Sequence, residues 1–219
     1  MSDAASRPQI STILIGGGPC SGKTTALEYL RKGLEVRGYR LIFVPEAATE
    51  LINGGVAPWT CRSYDDFQRA VFEMQLGKEA TFVHAAEKMD ADRIVIIFDR
   101  GVMDHAGYMT PEGFEQLLAD YHTTREELFS RYDIVFHLVS AAKGLEEAYT
   151  LENNAARAET PEQAAAVDDR LLDAWKGHPN FRLINNTEIF ADKMGALMRE
   201  VLAFLGEPDV PYEDPVEVL

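Results

Sequence analysis

The residues with the clearest chemical signature are Gly17–Thr24, GGPCSGKT, which match the spacing G-x-x-x-x-G-K-[ST]. Gly17, Gly18 and Gly22 allow the chain to curl so that successive backbone N–H groups point inward at an anion. Pro19 has no N–H and is expected on the outer part of the curl, with Cys20 and Ser21 as small residues that the loop tolerates. Lys23 would span the outer phosphates of a nucleoside triphosphate and would face solvent in an empty loop, while the Thr24 hydroxyl would hold Mg2+. A glycine-rich turn with no ligand has no need of a lysine and a threonine at those two places. Cys20 sits at a helix start, where a thiol pKa falls, but a tolerated small residue explains it more simply than a redox switch.

A phosphate loop (P-loop) needs an acidic partner at the end of a neighbouring apolar strand. Asp99 directly follows Arg93–Phe98 (RIVIIF) and is the expected second metal-site residue, with Arg100 placed to neutralise a transferring phosphoryl group. The alternative is a strand-terminal turn with a surface arginine. Glu46 follows the strand Arg40–Val44 and would emerge at the same edge of a parallel sheet, where a carboxylate can take the proton of an attacking hydroxyl. It could equally serve the N-terminus of the next helix through the helix dipole. Asn185 and Asn186 follow Phe181–Ile184 and could contact the base or simply form a turn.

These residues require a sheet whose strands all end at one edge. Ser11–Gly16, Arg40–Val44, Arg93–Phe98, Ile134–Val139 and Phe181–Ile184 are five short apolar runs, each fit for a buried strand. Between them lie helical patterns over Gly22–Arg37, Glu46–Ile52, Ser63–Glu87, 111–120, 124–131, 161–176 and Ile189–Leu205. Thr110 before Pro111, Thr124 with Glu127 and Thr160 with Gln163 mark helix starts. Strand and helix alternate, which predicts a three-layer α/β fold: a five-stranded parallel sheet flanked by helices, as in P-loop NTPases. The expected domain is 11–206, preceded by a flexible arm, 1–10, and followed by an acidic tail, 207–219. Ala141–Ala174 is too long for a plain crossover and carries Arg157 and Arg170, so it reads as a lid that brings an arginine to the phosphates, against the alternative of ordinary surface helix.

Composition narrows the partners. With 46% hydrophobic and 26% charged residues, 219 residues can bury one full core. A net charge of -15 disfavours nucleic acid and anionic membrane as partners. Only Cys20 and Cys61 occur, in no metal-ligand spacing, which fits a reducing cytoplasm. Met1–Gln9 is polar and reads as neither signal peptide nor anchor, and no apolar run reaches membrane-spanning length. The five histidines form no zinc pattern, His137 reads as a core residue, and Phe67, Phe72 and Phe82 fall at helical spacing as core positions.

GGPCSGKTT, VPEAATEL, the Phe67–Gln68 pair, FDRGVMD and AAKGLEEAYTLENNAAR together resemble the AAA-type ATP-binding domain of nicotinamide-riboside-kinase-like proteins and of the TRP-transport-defect GTP-binding proteins. The likeness covers about Thr12 to Gly206 and extends the nucleotide-contacting set to Gly17–Thr25, with Thr25 included. It implies a nucleoside- or nucleotide-kinase-like fold with Glu46 as base, an Asp99–Arg100 pair after the third strand, Arg157 in the lid, and ATP or GTP bound with Mg2+. The triphosphate-tunnel domain of the transport-defect proteins lies beyond the likeness, so nothing of its ligand binding is carried over. No residue pattern identifies a nicotinamide pocket, and the guanine-selecting N-K-x-D pattern is absent. Two functions follow: phosphoryl transfer to a small hydroxylated metabolite, or a nucleotide-binding switch acting through a protein partner. Plain hydrolysis is a third.

Overall fold

The computed structural model describes residues 8–144 and 160–208. Five parallel strands stand in the order β2-β3-β1-β4-β5: β1 (Gln9–Gly16), β2 (Arg40–Val44), β3 (Arg93–Asp99), β4 (Ile134–Leu138) and β5 (Phe181–Ile184). The first strand is central, with β2 and β3 to one side and β4 and β5 to the other. In a parallel sheet all five carboxyl ends share one edge, and the reversal of direction around β1 opens a crevice there.

Alternation along the strands separates two cores. Ile13 and Ile15 of β1, Val95 and Ile97 of β3 and Phe136 of β4 face α1 (Lys23–Glu35) and the C-terminal helix, where Leu30, Leu34, Leu197 and Val201 meet them. Leu14, Ile94, Ile96 and Phe98 face the other layer, which includes α2 (Ala47–Asn53), α3 (Tyr64–Ala86), α4 (His105–Tyr108), α5 (Pro111–Asp120), α6 (Arg125–Phe129) and α7 (Pro161–Trp175). The C-terminal helix is α8 (Phe190–Leu205). Phe72, Phe98, Phe114 and Trp175 are fully buried on the second face.

The helix starts follow the expected capping chemistry. The Thr110 side chain accepts the Gly113 N–H ahead of Pro111, and Thr124–Glu127 and Thr160–Gln163 close reciprocal capping boxes. Boundaries shift elsewhere. The first strand begins at Gln9, which pairs with Arg93, so the expected arm is shorter by two residues than 1–10. At the other end, Glu207 belongs to the body, because its carboxylate accepts from Tyr39 Oη at 2.8 Å and from Arg93 Nη1 at 2.5 Å.

The lid boundary also moves. Within 141–174, residues 161–174 belong to α7, whose Asp168, Leu171 and Trp175 are fully buried and whose Arg170 Nε donates to Gly107 O at 2.8 Å. The polar, alanine-rich sequence read as a lid; here α7 packs against α4, where Gly107 lies against Leu171 and the backbone of Arg170. Arg170 is therefore a structural tie. Residues 145–159, Arg157 among them, lie outside the described residues.

Candidate nucleotide and acceptor site

The phosphate loop leaves β1 at Gly16 and enters α1 at Lys23. Gly17, Cys20 and Gly22 adopt positive φ angles of 136°, 54° and 88°, and a non-glycine at Cys20 stores some strain in the turn. Long-range bonds hold this shape. Gly18 N–H donates to Asp168 Oδ1 at 2.8 Å, Ser140 Oγ to Pro19 O at 2.5 Å, and Ala141 N–H to Cys20 O at 3.1 Å. Lys193, on α8, is buried and donates to Ser21 O at 2.9 Å, Val139 O at 2.7 Å and Asn186 Oδ1 at 2.9 Å. Burial pushes the Lys193 ammonium down to about 8, with Asp168 countering. The loop is thus preorganised by β4, α7 and α8. Pro19 is buried with its carbonyl turned towards Ser140, away from the loop's mouth.

Lys23 departs from the expected solvent-facing pose. Its Nζ folds back to donate to Gly17 O at 2.8 Å and Gly18 O at 3.2 Å, because an ammonium beside a loop of carbonyls finds acceptors there. Burial first, then the nearby Arg100 guanidinium, lower its pKa to about 8. Asp99, Glu46 and Asp104 partly counter that shift, and a bound phosphate would add further negative charge at the ammonium. Thr24 and Thr25 are exposed in the first turn of α1.

Asp99 pairs in register with Ile15, next door to the loop. Its Oδ1 is buried and has no hydrogen-bond partner among the described residues. Burial raises the Asp99 pKa, partly countered by Lys23 and Arg100. A buried carboxylate oxygen without a partner suits the water shell of a hard cation, and Thr24, exposed in the first turn of α1, would offer a second oxygen. These residues fit Mg2+.

Arg100 is fixed rather than mobile. It holds a left-handed φ of 73°, its carbonyl accepts from Gln75 Nε2 at 3.1 Å, and its Nε meets Glu46 Oε1 at 2.5 Å. Its Nη1 reaches Asp104 Oδ2 at 3.5 Å, and Trp175 Nε1 donates to Asp104 Oδ1 at 2.6 Å. A strained arginine held by this many partners marks a place where geometry matters. Glu46 makes no side-chain cap for α2; its Oε2 accepts from Thr49 Oγ1 at 2.7 Å. Burial raises the Glu46 pKa, but Arg100 and the Thr49 hydroxyl outweigh it and hold the carboxyl below its usual range. It is ionised at neutral pH.

Beside these residues lies a cavity of ≈ 180 Å³ lined by Glu46 and Arg100 together with Tyr64, Phe67, Gln68, His105 and Tyr108. Gln68 and His105 are buried and joined, His105 Nδ1 to Gln68 Oε1 at 2.8 Å. Burial, with Arg100 adding, pushes His105 down to about 3, so the ring is neutral and its Nδ1 carries the proton. Burial holds the Tyr108 phenol up to about 12.

Of the residues picked out in the sequence, Lys23, Glu46, Asp99 and Arg100 converge on this crevice. Asn186 does not join them: its Nδ2 donates to Ser140 O and Lys143 O at 2.8 and 2.9 Å, making it a brace rather than a turn residue. Asn185 is exposed. Sequence reasoning missed Asp104, His105 and Tyr108, and with them the braces Asp168, Lys193 and Ser140, and gave Gln68 no role. A signal existed for three of them. Asp168 falls on the buried stripe of α7 between Ala164 and Leu171, Lys193 on that of α8 with Leu197, and Gln68 on that of α3 with Val71 and Phe72. A polar residue at a core position demands a buried partner.

No curated protein matches the chain. A family model for the AAA domain matches residues 12–190, from β1 through the phosphate loop, the strand ends and α7 to the first residue of α8. With that match laid over a five-stranded parallel sheet and a phosphate loop at its central strand, the chain belongs to the AAA-domain family, as a nucleotide-binding P-loop domain.

Proposed function

We propose that the protein is a Mg2+-dependent phosphotransferase that moves the γ-phosphoryl group of ATP or GTP to a hydroxyl of a small uncharged metabolite. The observation that carries this reading is the ionised Glu46, paired with Arg100, lining the same cavity that opens beside Lys23 and Asp99. A hydrolase or switch has no need of a half-open cavity walled by Tyr64, Phe67 and Tyr108 next to its phosphates.

In this reading Lys23 leaves the Gly17 and Gly18 carbonyls for the β- and γ-phosphates, and the loop N–H groups cradle them. Thr24 and Asp99 would hold Mg2+, which would supply positive charge to offset that building on the leaving diphosphate. The acceptor oxygen forms a bond to the γ-phosphorus while the bond to the bridging oxygen breaks. Glu46 takes the acceptor's proton. A low pKa makes it a weak base, which suits a loose transition state, where the nucleophile needs orientation more than deprotonation. Arg100, fixed by Glu46 and Asp104, offers its remaining guanidinium edge to the transferring group. Among the described lining residues Arg100 is the one cation, and because Glu46 and Asp104 already engage it, a phosphate or carboxylate on the acceptor would go unpaired there. Gln68 and the neutral His105 are the polar groups left for an uncharged molecule.

The test is incubation with γ-labelled ATP or GTP and a panel of hydroxylated metabolites, nucleosides included, with Asp99→Asn as control. Label should pass to an uncharged alcohol and not in the control. Tight nucleotide binding with no acceptor ever labelled ends the reading.

A second reading, a nucleotide-dependent regulatory module acting through a protein partner, draws on one observation. Lys143 pairs with Asp168 at 2.7 Å, and Asp168 takes the Gly18 N–H, so both sides of 145–159 are tied to the phosphate loop. That reading predicts nucleotide-dependent protease protection within Ala141–Ala174 without acceptor chemistry.

A further inference from the structure

The nucleotide site has a defined phosphate end but, with Asn186 spent on Ser140, Lys143 and Lys193, only the exposed Asn185 remains of the two asparagines expected at the base. Topology restricts where the base can go. The β3 side of the loop is taken by Asp99, Arg100, Glu46 and the cavity, so the nucleoside half of a bound triphosphate must leave over the exposed Thr24 and Thr25, towards β4 and β5. On that side the connection from β5 brings Ile189 and Phe190 to the start of α8.

Phe190 touches the loop itself. A Cβ built on Gly22 would fall 2.8 and 2.9 Å from its Cε2 and Cζ, so the ring lies against the glycine that precedes Lys23. Phe190 is nevertheless 46% exposed and its neighbour Ile189 62% exposed. None of the described residues stacks on the ring. Tyr64, another large apolar side chain exposed among the described residues, lines the acceptor cavity on the β3 side instead. Two adjacent apolar side chains left open to water beside a phosphate loop gain most by covering a flat, weakly polar surface.

We infer that Phe190, flanked by Ile189, is the stacking platform for the nucleobase of the bound triphosphate. This rests on the phosphotransferase reading only in requiring a nucleotide in the loop. A ring face does not read base edges, so ATP and GTP depend on Phe190 equally. Aromatic stacking of a base contributes ~1–3 kcal/mol, and a half-exposed ring belongs at the lower end, about tenfold in affinity.

The experiment is calorimetric titration of ATP, GTP and inorganic tripolyphosphate, each with Mg2+, into the wild-type protein, Phe190→Ala and Phe190→Tyr. In Phe190→Ala, ATP and GTP should weaken together by about tenfold while tripolyphosphate, which has no base, stays within about twofold. Phe190→Tyr should restore both nucleotides. Unchanged nucleotide affinity in Phe190→Ala overturns the inference. So does an equal loss for tripolyphosphate, which would mean that Phe190 acts through the shape of the loop. Should the wild-type protein bind neither nucleotide nor tripolyphosphate, the functional reading itself falls, and the platform with it.

Discussion

His105 sits on the wall of the cavity with its pKa pushed down to about 3 by burial and by Arg100, against 6.5 for an exposed histidine. The unfolded chain therefore binds a proton below pH 6.5 that the folded protein refuses, and stability falls as pH drops through the window from 6.5 towards 3. Each pH unit inside that window is about 1.4 kcal/mol, so acidification from pH 7.5 to pH 5 should cost about 2 kcal/mol through this group alone. For a domain of this size that is roughly 4–8 °C in Tm. Other carboxylates titrate as well, so the informative quantity is the difference between the wild-type protein and His105→Gln, which keeps a donor for Gln68 and cannot titrate. Urea unfolding at both pH values should show the variant losing about 2 kcal/mol less than wild type. Side-chain NMR of the wild-type protein at pH 5 should show a neutral imidazole protonated at Nδ1. Equal losses in the two proteins, or an imidazolium signal at pH 5, would refute the reasoning that this wall of the cavity is dry and already crowded by Arg100.

The other predictions concern the loop and its supports. Gly101→Ala places a Cβ against Leu14 Cδ1 and 2.7 Å from Trp175 Cζ2, between a core strand and a buried indole, and should destabilise the fold by about 1–3 kcal/mol in urea unfolding. Asp168→Ala strips Gly18 N–H, His137 Nε2 and Lys143 of their shared partner and should cost about 3–5 kcal/mol while also weakening nucleotide binding; a neutral result would mean that the loop keeps its shape without α7. Because burial and Arg100 lower Lys23 to about 8 and bound phosphates favour its charged form, nucleotide affinity should be full below pH 8 and fall as pH rises above it. Calorimetry at pH 9 in buffers of different ionisation enthalpy should detect proton uptake on binding.

Much of this molecule could be read from local signals. Arg40–Val44 and Phe181–Ile184 stand as strands at the bounds their apolar runs predicted, and the threonine caps at 110, 124 and 160 start helices as their chemistry requires. The convergence of Lys23, Glu46 and Asp99 followed from one rule, that strands of a parallel sheet end at a common edge. What escaped notice depends on contacts between residues far apart in the chain. Asp168 is 150 residues from Gly18 and Lys193 is 172 from Ser21, and no spacing rule links them. The fold-back of Lys23 was missed for a different reason: solvent was assumed as the default partner of a cation, whereas a curled loop offers carbonyls at closer range. Alanine-rich sequence misled at α7, which packs through Leu171 and the backbone of Arg170 against Gly107 of α4.

The central claim, that Gly17–Thr24 holds the phosphates of a nucleotide through Lys23, is tested most directly by titrating Mg-ATP into the wild-type protein and Lys23→Ala. Removing two charge-assisted bonds of ~1.5 kcal/mol each should weaken binding about 100-fold or more, with Tm within a few degrees of wild type. Equal affinity in the two proteins would contradict it.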